Sequence, residues 1–161
     1  MINTALVSYG MSGRVFHAPF IDLNPDFNLV GSWERSQKNI QARYPHTKSF
    51  ESYEEILNDP SIHLVIVNSP NDTHYEYTKR ALLAGKHAVT EKAFTVTVAE
   101  AEELDALAQK LNLKLAVYHN RRYDADFLTI QKLIKEDAIG EFLDIQISFE
   151  RYRTTLSPKV H

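Results

Sequence analysis

The sequence predicts an α/β fold, a doubly wound parallel sheet with helices on both faces. Three observations carry that prediction. Strand and helix patterns alternate along the chain, the order that builds parallel sheets. The strands are short and nearly continuous apolar runs, such as His63-Leu64-Val65-Ile66-Val67-Asn68, which suits strands covered on both faces. The first of them, Ala5-Leu6-Val7, feeds a glycine turn, Ser8-Tyr9-Gly10-Met11-Ser12-Gly13, that opens a helical pattern including Val15 and Phe16.

The remaining elements follow in order. The first helix is short and interrupted near Pro19, which lacks the N–H a helix interior needs. A second strand, Phe27 to Trp33, ends at Glu34. A helix is expected from Ser36 to just before Pro45, then a short strand around Lys48-Ser49-Phe50. Ser52 to Leu57 reads as a helix closed by Asn58-Asp59-Pro60. After the apolar strand comes a helix with His74, Tyr77, Thr78, Ala81 and Leu82 on one face and Gly85 as its stop. His87 to Thr90 is a strand. Thr97 and Glu100 form a capping box for a helix that turns Val98, Ala101, Leu104, Ala108 and Leu111 inward. Leu113 to Tyr118 is a strand, and Asp126 to Lys135 a helix with Phe127, Ile130 and Ile134 at helical spacing.

The last pattern differs. Leu143, Ile145, Ile147 and Phe149 alternate strictly with polar residues, the mark of a strand with one wet face. Exposed strand edges are pairing hazards. Two coverings fit: a second copy of the chain, paired through 142–150 as a homo-oligomer, or a second domain of which this is the opening strand.

A chain of 161 residues has room for one good core. The net charge of −3 and the lack of a basic block argue against a nucleic-acid partner. The absence of cysteine excludes disulfides, thiol catalysis and cysteine-bound zinc. No apolar run is long enough to span a bilayer and no leader pattern precedes the first strand, so a cytoplasmic protein with no membrane partner is expected. No histidine has metal-ligand spacing.

The chemistry concentrates at strand ends. The glycine turn has the spacing of the dinucleotide fingerprint G-x-G-x-x-G, with Ser8 at the first glycine, and this makes the fold Rossmann-type. Gly10 lets the backbone approach a pyrophosphate, Gly13 lets the helix pack against the strand, and the helix N-terminus favours the anion. Glu34 falls about 20 residues beyond Gly13, where such folds place the acid that meets the adenosine ribose. Arg35 follows it and suits a 2′-phosphate. The pair leaves NAD and NADP both open, with a slight lean to NAD. Asn68-Ser69-Pro70-Asn71-Asp72-Thr73-His74 follows one strand, Glu91-Lys92 the next, and Tyr118-His119-Asn120-Arg121-Arg122-Tyr123 the one after. A lysine at a strand end in a cleft can serve as general acid, and paired arginines can bind an anionic or polyhydroxylated substrate. His17 reads as a packing residue.

Together these segments resemble the N-terminal domain of the glucose–fructose oxidoreductase/inositol dehydrogenase (Gfo/Idh/MocA) family, over essentially the whole chain. The glycine turn running into Arg14-Val15-Phe16-His17-Ala18-Pro19-Phe20, Ser69-Pro70-Asn71 through His74, Glu91-Lys92, and Tyr118 to Arg122 before Asp124-Ala125-Asp126-Phe127 carry the likeness. It implies that residues 1–120 are an NAD(P)-binding domain. Residues 121–161 would be a connecting helix and the first strand of a substrate domain that is otherwise missing. It further implies that Ser8, Gly10, Met11, Ser12 and Gly13 hold pyrophosphate. Glu34 and Arg35 would read the ribose, and Ser69, Pro70, Asn71 and His74 line the cofactor cleft. Glu91 and Lys92 match the family's E-K-P motif, whose lysine stands between nicotinamide and a sugar or polyol substrate. Asn120 and Arg122 would lie near nicotinamide and substrate. Ser8 replaces a glycine, and Ala93 stands where the family has proline. The expected activity is hydride transfer between a carbinol carbon and nicotinamide C4 in a whole enzyme, with this chain alone inactive. A non-catalytic dinucleotide-sensing or scaffold domain is the alternative. A methyltransferase shares the glycine turn but gives Glu91-Lys92 no role.

Overall fold

The computed structural model describes residues 1–34, 37–150, 152, 154 and 155. Its centre is a six-stranded, all-parallel sheet. β1 (Ile2–Leu6) lies between β2 (Phe27–Trp33) and β4 (Leu64–Val67). β3 (Lys48–Phe50) borders β2, and β5 (His87–Thr90) and β6 (Leu115–Val117) continue beyond β4, for an order β3-β2-β1-β4-β5-β6. This is the Rossmann-type doubly wound sheet.

Alternation within each central strand feeds two cores. Ala5 and Val7, with Val65 and Val67, pack beneath α3 (Tyr53–Asn58) and α4 (His74–Leu83) through Tyr53, Ile56 and Ala81. Leu6, Leu29 and Ile66 face the other way, against α1 (Ala18–Leu23) and α2 (Ile40–Arg43) through Ala18 and Ile40. A third cluster joins Leu82 and Ala88 to Leu104 and Ala108 of α5 (Val98–Lys110). With apolar side chains on both faces, the strands carry the continuous apolar runs seen in the sequence.

Local signals place the helix ends. Ser52 accepts the Glu55 N–H at 3.2 Å, and Thr97 and Glu100 close the predicted capping box. Gly85 ends the turn after α4 at φ 75°. At β2, a Cβ on Gly31 would stand 1.9 Å from the Lys48 carbonyl oxygen, so only glycine lets β3 pair there. The first helical stretch begins at Met11, widens into a π-type turn over Gly13–His17 and resumes as α1, with Pro19 in its first turn, where its missing N–H costs nothing.

Three expectations need correction. The helix expected from Ser36 forms only over Ile40–Arg43. Residues 37–39 are not helical, and Ser36 lies outside the described residues. Residues 143–150 join no ladder among the described residues, since a strand exists only against a paired edge. The inward face expected of α5 is narrower than predicted: Leu104 and Ala108 are buried, but Val98 and Leu111 at its ends are exposed.

The chain divides into two compact units, Met1–His119 and Asn120–His161. The first holds the sheet. The second holds a tight turn over Asn120–Tyr123 followed by α6 (Ala125–Lys135), with Arg121 paired to Asp124 at 2.7 Å. No helix among the described residues is long and apolar enough to cross a membrane, and none of their acidic or histidine side chains cluster as a metal site.

Candidate functional site

Strand order reverses at β1, with β2 on one side and β4 on the other, and crevices for ligands form at the carboxyl ends of strands at such a reversal. A cleft of about 330 Å3 opens there. Ser8, Tyr9 and Gly10 form its floor. Trp33, Glu34 and Gln37 come from the end of β2 and beyond, Ser69 and Pro70 from the end of β4, and Tyr77 from α4. Trp33 stacks on Tyr53 at 6.0 Å between ring centroids and meets Tyr77 edge-on at 5.9 Å. The cleft therefore has one aromatic wall suited to a flat apolar group.

The turn is tied to the neighbouring strand by a reciprocal clasp. Ser8 N–H donates to Asn68 Oδ1 at 2.9 Å, Asn68 Nδ2 donates back to the Ser8 carbonyl at 2.8 Å, and Ser8 Oγ donates to the Asn68 carbonyl at 3.2 Å. The Gly10 N–H lies 3.4 Å from Ser8 Oγ. A hydroxyl in place of the first glycine thus supplies bonds that glycine cannot. Gly13 packs directly on this clasp, where a Cβ would stand 2.6 Å from the Ser8 carbonyl oxygen and 2.9 Å from Asn68 Nδ2. Gly10 differs. A Cβ there meets only Ser8 Oγ, at an ordinary 3.6 Å, and otherwise open space. The protein's own packing does not require glycine at position 10, but a ligand pressed against its backbone would.

Glu34 faces this cleft while capping α2. Its Oε1 accepts the Asn39 N–H and its Oε2 the Ile40 N–H, both at 3.1 Å. Two orphan donors of the helix are satisfied, and the carboxylate is fixed in place. Arg35 lies outside the described residues.

A second cluster gathers at the end of β5. Glu91 is buried with Oε1 2.9 Å from His17 Nε2, while Oε2 accepts the Lys92 N–H at 3.2 Å. Burial alone would raise the Glu91 carboxyl, but the hydrogen bond and field of His17 outweigh it, helped by Lys92. The group is held below the usual glutamate range. Tyr118 lies against His17 at 4.4 Å between rings and donates to the Phe16 carbonyl at 2.9 Å. Burial, with Glu91 nearby, pushes its phenol up. His74 is fully buried, with Nδ1 2.7 Å from the Ala93 carbonyl oxygen and Nε2 2.9 Å from that of Ser69. Lys92 is exposed, and the Lys92–Ala93 peptide is cis.

Of the residues singled out in the sequence, Ser8, Gly10, Glu34, Ser69 and Pro70 meet in the cleft. Met11 and Ser12 follow at the helix start, and Asn71 opens a tight turn over Asn71–Thr73 on the rim of the β4 loop. His74 braces that loop from beneath rather than lining it. Glu91 and Lys92 form the separate group at β5. Asn120 and Arg122 belong to the second compact unit, in its opening turn. Sequence reasoning placed Asn68 in the polar segment after β4 without its clasp on Ser8, read His17 as a packing residue, and left Gln37 and Tyr77 out of the cleft. Spatial partners reveal the roles of Asn68 and His17, because Ser8 and Glu91 lie 60 and 74 residues away in the chain.

A family model described as the oxidoreductase family with an NAD-binding Rossmann fold matches residues 2–119. Over 152 residues the chain is 41% identical to the uncharacterized oxidoreductase YdgJ of Escherichia coli K12, covering 94% of this chain and 44% of that protein. It is also 41% identical over 152 residues to the scyllo-inositol 2-dehydrogenase (NADP(+)) IolW of Bacillus subtilis 168, covering 94% and 42%. The solved structure of a Bacteroides fragilis protein superposes with a TM-score of 0.81 at 50% identity, over 87% of this chain and 44% of that one. The chain spans less than half the length of these relatives.

Proposed function

The chain belongs to the Gfo/Idh/MocA oxidoreductase family, matching its NAD-binding Rossmann domain over residues 2–119, and from that premise we propose that its cleft takes NAD or NADP for a sugar or polyol dehydrogenase. The observation that carries this reading is the open cradle at Gly10, a glycine whose absent side chain leaves room for a ligand and serves no packing contact. The residues present fit a dinucleotide. Gly10, Met11, Ser12 and Gly13 offer backbone N–H groups at a helix start, with Ser8 shaping the turn. Ser69, Pro70 and Asn71 flank the cleft. Trp33 and Tyr77 offer a wall on which an adenine ring would pack, and Glu34 would meet the ribose.

When bound, the nicotinamide supplies the hydride acceptor or donor. Lys92 stands at the end of β5 with a side chain that can give a proton to the substrate oxygen as the ammonium, or take one from it as the neutral amine, and Glu91 beside it steadies the charged form. By the family resemblance, Asn120 and Arg122 would serve nicotinamide and substrate. The fixed Glu34 carboxylate repels a 2′-phosphate and favours NAD, whereas the relative IolW is named for NADP(+). We propose further that the 161-residue chain binds dinucleotide without turning over sugar.

The test is a titration of this chain with NADH and with NADPH, following Trp33 emission. Trp33 lines the cleft, so binding should change its fluorescence saturably. The tighter of the two identifies the cofactor. Neither binding would overturn the proposal, and measurable sugar oxidation by the pure chain would overturn its inactivity.

A further inference from the structure

Lys92 carries the proposed proton transfer, yet its own side chain is exposed and makes no hydrogen bond or ion pair among the described residues. What holds it acts on its neighbours. Glu91, the residue before it, is gripped by buried His17, whose Nε2 stands 2.9 Å from Oε1, and the same carboxylate accepts the Lys92 N–H. Ala93, the residue after it, has its carbonyl 2.7 Å from buried His74. Two imidazoles from different elements therefore bracket one lysine.

Their other attachments make the bracket more than core packing. His17 lies in the helical turn that begins at Gly13, directly after the phosphate turn, and is wedged there by the Tyr118 ring. The second nitrogen of His74 stands 2.9 Å from the carbonyl of Ser69, which lines the cleft. A buried imidazole is costly unless its nitrogens are matched, and an apolar side chain would fill the same space without that demand. Here the polar partners, Glu91 Oε1 for His17 and the carbonyls of Ala93 and Ser69 for His74, of which a neutral ring donates to one, are those that join the cleft to the peptide units around Lys92.

We propose that His17 and His74 are positioning residues for Lys92. They tie the backbone on either side of it to the phosphate turn's helix and to the Ser69 loop. The cofactor cleft and the lysine are then held as one rigid unit before any ligand arrives, in keeping with the precision catalysis needs. This inference rests on the reading of Lys92 as the proton-moving residue.

The experiment uses the 161-residue chain and NMR. In the wild type, ring N–H signals of His17 and His74 should be visible and protected from solvent exchange. In His17→Leu and His74→Phe, amide exchange at Lys92, whose N–H is held by Glu91, should accelerate by on the order of tenfold while β4 amides stay as they were. His17→Gln, which keeps a donor toward Glu91, should restore slow exchange. Unchanged exchange at Lys92 in the folded variants would overturn the proposal, and so would acceleration spread evenly over the sheet. If a variant fails to fold, unprotected ring N–H groups in the wild type would overturn it, and the His17→Gln result still decides the role of His17. Loss of dinucleotide binding in the wild type would overturn the cofactor reading and leave these exchange measurements standing, so the two failures are distinguishable.

Discussion

Gly10 and Gly13 sit three residues apart in one turn and answer to different constraints. Gly13→Ala forces a Cβ to within 2.6 Å of the Ser8 carbonyl oxygen, a backbone atom that cannot swing aside. It should cost about 1–3 kcal/mol of stability, the usual range for overpacking, seen as a lower urea midpoint. Gly10→Ala places its Cβ in open space and should leave the midpoint within about 0.5 kcal/mol. It should nonetheless weaken NADH or NADPH binding about tenfold or more, because the new methyl occupies the place where a phosphate must approach. Equal effects of the two substitutions on binding and stability would refute this division. The spacing of these glycines was legible in the sequence. That Ser8 would earn its place through Asn68, 60 residues away, was not. The same limit hid His17, which looks like a packing residue until Glu91, 74 residues on, is seen against it.

At the scale of elements, the local signals that act within one turn were read well. The Thr97–Glu100 box starts α5, Ser52 starts α3, and Gly85 closes α4. Apolar runs located the central strands such as β4, because a strand buried on both faces has no polar alternation to confuse it, while β3, at the sheet edge, carries only Phe50 as an apolar signal. α2 was the exception. Its cap comes from Glu34, five and six residues before the N–H groups it satisfies, so no local spacing rule points to it. This dual placement yields a prediction. Glu34→Ala strands the Asn39 and Ile40 N–H groups and should lower stability by about 1 kcal/mol even without nucleotide, the usual cost of a lost cap. A thermal melt of the ligand-free chain checks it. If the melt is unchanged, the carboxylate serves the ligand alone and its contact with α2 is incidental.

For the whole molecule, the question is where the folding free energy resides. Leu6, Leu29, Ile40, Ile56, Ile62, Leu82 and Leu104 are all fully buried, and every one lies in the Met1–His119 unit. Each contributes roughly 1.5–3 kcal/mol relative to exposure. Among the described residues, α6 buries no side chain fully, and Phe127, Ile130, Leu143, Ile145 and Ile147 are exposed beyond the sheet. The alternating pattern at 143–149 could be read from the sequence as a strand, but what would pair with it could not, since a ladder is a property of two segments. A chain ending at His119 should therefore melt within a few degrees of the 161-residue chain and still give a saturable Trp33 response to dinucleotide, weaker only by what Asn120 adds. The longer chain should self-associate as its concentration rises and bind a hydrophobic dye, because apolar surface of this extent seeks cover. Sedimentation of the two chains side by side separates the cases. If both remain monomeric while the shorter one melts far lower, residues 120–161 support the first unit directly, and the two-unit division does not describe its stability.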